Sequence, residues 1–243
     1  VWYIGVDTDG DTFIVSTTSL TLCESPGVGY SLIAPTSTFD CDDNNKNINP
    51  GIIEVFGDGI DNNCDGQIDE LQIGQFRDGG IVYIIYQNPR DADGDGILEI
   101  AVICAVEDQT DTIGIQWGPD GLLGLYNGNG LDGSRFTDAI IAAHGMSNAA
   151  GLARSYTGGG YTDWFLPGEL DVHDMKTEPV YSIINAASLI NGGSTLNGLI
   201  YWSSTEYSAQ EAVTNLYGGN FLYFNTRPKS SLHSVRAVRY LKI

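Results

Sequence analysis

The chain of 243 residues carries 31 acidic residues against 11 Lys and Arg, a formal net charge of −20. Such an excess disfavours nucleic acid and anionic membrane as partners, since both would be repelled. With 42% hydrophobic and 10% aromatic residues the composition is globular rather than disordered. No apolar run approaches the roughly 18 residues that a membrane span needs.

The charge is unevenly placed. Residues 1–70 hold thirteen acids and one base, Lys46, whereas residues 212–243 hold no acid and five bases. The chain starts at Val1 with no basic-then-apolar leader, which reads as an exported, processed product. Its first seventy residues show little apolar periodicity and many Asp, Asn and Gly. Such a segment buries too little apolar surface to offset its ordering entropy and needs a metal or a disulfide. The acidic pattern stops near Asp69-Glu70-Leu71, so two domains are expected, 1–70 and 71–243.

Within the first domain Asp61-Asn-Asn63-Cys-Asp65-Gly66 has the spacing of a calcium loop. Positions 1, 3 and 5 aim oxygens at one point, and a glycine at position 6 permits the sharp turn. Gln67 would add a carbonyl, and Asp69 stands at position 9. Asp7-Thr-Asp9-Gly-Asp11 and Asp40-Cys-Asp42-Asp43-Asn44 are partial copies. Like charges at about 4 Å repel by about 1 kcal/mol in water and by more near a protein surface. Crowded carboxylates therefore favour several bound cations. Oxygen donors select Ca2+ over zinc, which prefers Cys and His, and His144, His173 and His233 are isolated in the sequence. Cys41 and Cys64 both lie inside the acidic segments, and a bond between them would close a loop worth roughly 3 kcal/mol. Cys104, in an apolar strand pattern, is either a buried thiol or the partner of Cys23.

Beyond residue 74 the pattern changes. Gly80–Tyr86 and Ile97–Val106 read as strands from their β-branched content. Between them lies Asp91-Ala-Asp93-Gly-Asp95-Gly96, a further calcium-type loop with Ile97 as carbonyl donor and Glu99 at position 9. The acid usual at position 12 is replaced by Val102. Residues 134–155 predict a helix capped by Ser134 or Thr137, followed by a short helix after Pro167 and another over 179–190, closed by Asn191-Gly192-Gly193. Leu199–Ser204, Ala212–Tyr217, Phe221–Asn225 and Ser234–Ile243 predict strands. Short strands around two or three helices make the class α+β.

Residues 2–70, with Trp2-Tyr3, Asp7–Asp11, Cys23, Asp40-Cys-Asp-Asp43, Asn49-Pro50-Gly51, Glu54 and Gly57–Glu70, resemble the MopE-type metal-binding motif of bacterial secreted and surface proteins. That resemblance implies metal binding, with Asp7, Asp9, Asp11, Asp40, Asp42, Asp43, Asp61, Asp65 and Asp69 as candidates. Residues 74–243 resemble a second family, the C-terminal domain of the Legionella collagen-like adhesin. The matching pieces are Gly79-Gly80-Ile-Val, Gly114–Gly118, Gly159–Pro167, Tyr201–Glu206 and Val235–Arg239. This resemblance implies a C-type-lectin-like fold, related to that of formylglycine-generating enzymes, and an adhesive role toward polysaccharide. The chain departs from it at the inserted Asp91–Gly96 loop and at Gly168-Glu-Leu-Asp171.

No enzyme is expected. There is no Gly-x-Ser-x-Gly elbow beside Ser203-Ser204-Thr205, no phosphate loop or dinucleotide fingerprint, and no cysteine after Cys104. Trp117, Trp164 and Trp202 serve packing or sugar stacking. Arg227, Lys229, Arg236 and Arg239 either pair with acids of their own domain or meet the acidic module of another copy, head to tail, in a contact that does not close. The expected function is a calcium-stabilised secreted or cell-surface structural protein, with a polysaccharide-binding adhesin as the alternative.

Overall fold

The computed structural model describes residues 2–4, 7–13, 18–20, 30–31, 39–55, 58–110, 113–126, 132–196, 200–215 and 225–242. The chain forms two compact units, Val1–Gln72 and Ile73–Ile243.

The first unit has one small antiparallel sheet. Strand β1 (Trp2–Ile4) lies between β2 (Thr18–Leu20) and β3 (Tyr30–Ser31). Among its described residues Ile48 is the one apolar side chain in the buried core. The Cys41–Cys64 disulfide is present, with the two Cα atoms 5.6 Å apart. Cys104 is a buried free thiol, and Cys23 lies outside the described residues.

The second unit is α+β. A four-stranded antiparallel sheet runs in the order β10-β6-β5-β4, made of β4 (Phe76–Arg77), β5 (Gly80–Arg90), β6 (Glu99–Ala105) and β10 (Val238–Lys242). A second sheet holds β7 (Tyr201–Glu206), β8 (Glu211–Asn215) and β9 (Asn225–Pro228). Of the expected strands, 221–224 and 216–217 lie outside the described residues.

Four helices are described rather than two or three: α1 (Gly133–His144), α2 (Ala149–Arg154), α3 (Glu169–Met175) and α4 (Val180–Ile190). The single helix expected over 134–155 is broken at Gly145. There the backbone turns left-handed (φ 72°) and its N–H reaches Ile141 O at 2.8 Å, a glycine helix end. The chain restarts at Asn148, whose side chain accepts the Gly151 N–H at 3.0 Å. Neither Ser134 nor Thr137 caps α1. Asp132 precedes it, and the Thr137 hydroxyl donates to Gly133 O at 2.8 Å inside the helix.

Several of the glycine- and tryptophan-containing segments of the second unit meet in its core. Gly79 leaves no room for a side chain: a Cβ there would stand 2.2 Å from the Gly158 and Gly159 backbone. The Phe165 and Val238 backbones exchange hydrogen bonds of 2.9 and 3.0 Å, tying the Gly159–Pro167 segment to β10. Trp117, Trp164 and Trp202 are wholly buried and donate to Ser203 O, Gly158 O and Ile115 O. They are packing residues, not a sugar platform. The Ser203 and Ser204 hydroxyls are buried and donate to Val213 O and Pro167 O.

One buried acid has a consequence for stability. Asp171 of α3 accepts the Gly168 N–H at 2.9 Å through Oδ2, while Oδ1 is buried without a hydrogen-bond partner. Desolvation pushes its carboxyl up from the ordinary value to about 7. A raised acid contributes stability that is fully present below its unfolded value and lost as pH rises through the folded one. The second unit should therefore lose about 2–3 kcal/mol between pH 5 and pH 8 at this residue. Asp171→Asn should flatten that slope in urea melts at the two pH values.

Candidate metal centre

Three loops of this chain adopt one conformation. In residues 7–13, 61–67 and 91–97 the fourth and sixth positions have positive φ: Gly10 and Thr12 (83° and 80°), Cys64 and Gly66 (57° and 90°), Gly94 and Gly96 (79° and 86°). At Gly96 nothing lies within 4 Å of where a Cβ would be, so backbone angle rather than crowding calls for glycine. Thr12 takes the same angle with a β-branched side chain, a costly conformation.

The side chains of the three loops are used alike. The first Asp accepts two backbone N–H groups: Asp7 those of Gly10 and Thr12 (2.7 and 3.1 Å), Asp61 those of Asp65 and Gly66 (3.1 and 2.9 Å), Asp91 those of Gly94 and Gly96 (2.6 and 3.0 Å). The third residue, Asp9, Asn63 or Asp93, accepts through Oδ1 the N–H of the fifth, at 2.9–3.2 Å. The fifth, Asp11, Asp65 or Asp95, accepts through Oδ1 the N–H of the seventh, at 2.8 Å in each. Gln67 is this seventh residue in the second loop, and its side chain also donates to Asp65 Oδ2 at 3.3 Å. Ile97 is the seventh in the third loop.

Asp40–Asn44 is not a fourth loop. It has Asn45 where the others have Gly or Thr, and Asp43 turns to the first loop instead. Thr8 donates to both oxygens of Asp43, its N–H at 3.0 Å. Asp42 N–H donates to Asp40 Oδ1 at 2.8 Å, and Asp42 Oδ1 is held at 3.4 Å by Asn44 N–H. Asp40 is buried, and its Oδ2 has no hydrogen-bond partner; the same holds for Asp9 Oδ2 and Asp11 Oδ2. Desolvation first, then the neighbouring charges, pushes the carboxyls of Asp9 and Asp40 up. Asp11 and Asp40 act on Asp9, and Asp11 acts on Asp40. Acids of Asp7, Asp9 and Asp11 come within 4.8 Å of one another.

Asp69 goes elsewhere than expected. It lies with Glu54 and Asp58, all within 4.8 Å, and not with Asp61 and Asp65. Its carboxylate accepts the N–H groups of Asp58 and Gly59 at 3.0–3.2 Å. Glu54 is buried and accepts from Asn62 and Asn63 N–H at 3.2 and 3.4 Å. Neither Glu54 nor Asp58 stands at a loop position, so spacing did not single them out. In the second unit Asp91, Asp93, Asp95 and Glu99 cluster within 4.8 Å, with Glu99 fully buried and accepting the Ala92 N–H.

Residues 40–70 match the "Putative metal-binding motif" family, Cu-binding MopE. The match takes in the Cys41–Cys64 disulfide, the 61–67 loop and the Glu54–Asp58–Asp69 group. It leaves out the 7–13 and 91–97 loops. No curated protein matches the chain. Among solved structures, a fimbrial protein from Bacteroides ovatus is similar with 15% identity and a TM-score of 0.46, over 65% of this chain and 43% of that one. This chain thus spans less than half the length of that protein.

The terminal cations are used inside the second unit. Lys229 Nζ is buried 2.6 Å from Glu206 Oε1, and Arg236 is buried with Nε 2.8 Å from Asp108 Oδ1. Arg239 pairs with Asp163 and Asp78 and lies 3.7 Å above the Tyr161 ring. Arg227 is half-buried and donates to Thr226 O at 3.0 Å. Lys229 and Arg236 therefore offer no surface to another copy, contrary to the head-to-tail expectation, and Arg239 is largely covered. Burial of the long side chains against their own acids is the reason.

Proposed function

We propose that this chain is a non-catalytic, calcium-stabilised structural protein of the bacterial cell exterior. Its metal-loaded first unit is followed by a lectin-like scaffold domain. One observation carries the calcium reading: Asp9 Oδ2, Asp11 Oδ2 and Asp40 Oδ2 are buried carboxylate oxygens with no donor. Uncompensated buried charge is costly, and a hard divalent ion compensates it. The donors are oxygens, with no imidazole or thiolate among the clustered groups of the described residues, and this supports calcium over copper in spite of the name of the matched motif. The disulfide fits an oxidising compartment. Among the described residues no helix is long and apolar enough to cross a membrane.

Association with further copies is part of the reading, on a surface other than the basic strand. Leu122, Tyr126 and Tyr207 are exposed on two segments that hydrogen-bond to each other (Gly121 N–H to Ala209 O, 2.8 Å; Glu206 N–H to Leu125 O, 3.1 Å). Exposed apolar groups on adjoining segments suit a contact between copies.

Calorimetric titration of the chelator-treated chain with Ca2+, and in parallel with Cu2+, tests the metal. Calcium should bind at several sites, and Asp40→Asn should remove or weaken one of them at least tenfold. Absence of calcium binding at millimolar concentration would sink the proposal. Light scattering with calcium tests association, and a strictly monomeric chain at high concentration would remove that half.

A further inference from the structure

The 7–13 and 91–97 loops commit the same atoms to their own backbone and leave the same atoms over. In both, Oδ1 of the third and fifth residues is taken by a backbone N–H. In the first loop the remaining Asp9 Oδ2 and Asp11 Oδ2 have no donor. In the third loop the equivalent oxygens are held by one ammonium: Lys242 Nζ lies 2.7 Å from Asp93 Oδ2 and 2.6 Å from Asp95 Oδ2. Glu99 is fully buried, its Oε1 has no hydrogen-bond donor, and it stands 3.5 Å from the same nitrogen.

We propose that Lys242 is a built-in competitor for the cation site of the 91–99 loop. Its ammonium and a divalent cation would be alternative occupants of Asp93 Oδ2, Asp95 Oδ2 and Glu99 Oε1. The inference rests on the reading of this loop as a calcium site and says how that site is controlled. A divalent ion cannot use those oxygens while the ammonium keeps its hydrogen bonds to two of them, so binding releases Lys242. Lys242 ends β10 and pairs in register with Glu99 of β6, just past a shift in the ladder at Leu241/Lys242. Release therefore loosens the end of the strand that edges the four-stranded sheet, coupling calcium level to the order of residues 238–242. One further feature agrees: Val102 at the twelfth loop position leaves the loop without the bidentate acid that gives such loops their tightest binding.

The test uses the full chain with Ca2+ as the probe. Lys242→Met keeps the length of the side chain and removes the charge. It should raise the calcium affinity of one class of sites roughly fivefold, the factor an ion pair of about 1 kcal/mol contributes. Asp93→Asn/Asp95→Asn should abolish that class in both backgrounds. Hydrogen exchange of the unaltered chain gives a second readout: amides of 238–242 should exchange faster with calcium than without. If Asp93→Asn/Asp95→Asn removes a calcium site but Lys242→Met leaves the isotherm unchanged, the competition is refuted and the calcium loop stands. If the unaltered chain shows no calcium effect on 238–242, the competition fails as well, even should Lys242→Met not fold. If the Asn variants remove no binding, the calcium reading of the loop fails and the inference goes with it.

Discussion

Chelation should unfold the first unit and leave the second standing. In 1–72, Ile48 is the one buried apolar side chain of the core among the described residues, whereas the second unit holds Trp117, Trp164, Trp202, Phe165 and the apolar faces of β5, β6 and α4. Burying one such side chain contributes about 1.5–3 kcal/mol. Ordering each residue costs about 1–2 kcal/mol in backbone entropy alone. The Cys41–Cys64 bond closes a loop worth roughly 3 kcal/mol, so apolar burial and the disulfide together do not hold this segment. Each cation site contributes RT ln(1 + [L]/Kd), about 4 kcal/mol at a thousandfold excess over the dissociation constant. Hydrogen exchange in EDTA should show near-complete loss of protection over 40–70, while β5, β6 and β10 stay protected. Restored protection on adding calcium would identify the cation as the cause. Equal protection over 40–70 with and without EDTA would refute a metal-dependent first unit.

The pH response of the chelated form follows from the same carboxylates. Asp9 and Asp40 are raised by desolvation and by their acidic neighbours. A raised acid favours the folded state below its unfolded value and loses that contribution as pH rises. The metal-free first unit should thus be most ordered in acid, and calcium should reverse the trend.

How much of this was legible depends on the reach of each interaction. The Asp61 and Asp91 loops were readable because their backbone angles, hydrogen bonds and ligand spacing all fall within seven residues. The Cys41–Cys64 bond followed from two acidic segments that had to come together. Gly145 was visible but not decisive, since a single glycine inside an apolar helical pattern is often tolerated. What the sequence hid was long-range. The charges of Asp40 and of Asp9 and Asp11 act on one another across about thirty residues of chain. Lys242 reaches back to Asp93, and Thr12 holds a glycine's conformation without being one. The basic tail misled for a related reason. Its cations are concentrated in sequence, but Glu206, Asp108, Asp163 and the 91–99 loop meet them one by one in the fold. A charge run describes a surface only when the topology leaves it there.

Replacing Lys229 by Met should be the most damaging single change in the second unit. Lys229 Nζ donates to Glu206 Oε1 at 2.6 Å, Gly121 O at 2.6 Å and Ala209 O at 3.2 Å, and sits 4.7 Å from the Trp117 ring centre. Glu206 in turn accepts backbone N–H groups of Leu123 and Gly124 at 2.7–3.0 Å. Burial alone would raise the Glu206 carboxyl; Lys229 and these N–H groups outweigh it and hold it below its ordinary value. A lowered acid stabilises the fold above its unfolded value, and that contribution is lost as pH falls through the folded one. Lys229→Met leaves a buried carboxylate without its counter-ion and takes a donor from two carbonyls, a loss of about 3–5 kcal/mol. For a chain of this size that lowers the melting temperature by roughly 10 °C. Glu206→Gln in the same background should recover part of the loss, because the residue left behind is then neutral. Scanning calorimetry of the single and double variants reads both effects. Were Lys229→Met to cost less than about 1 kcal/mol while weakening association between copies, Lys229 would be a contact residue after all and its buried pairing would be wrong.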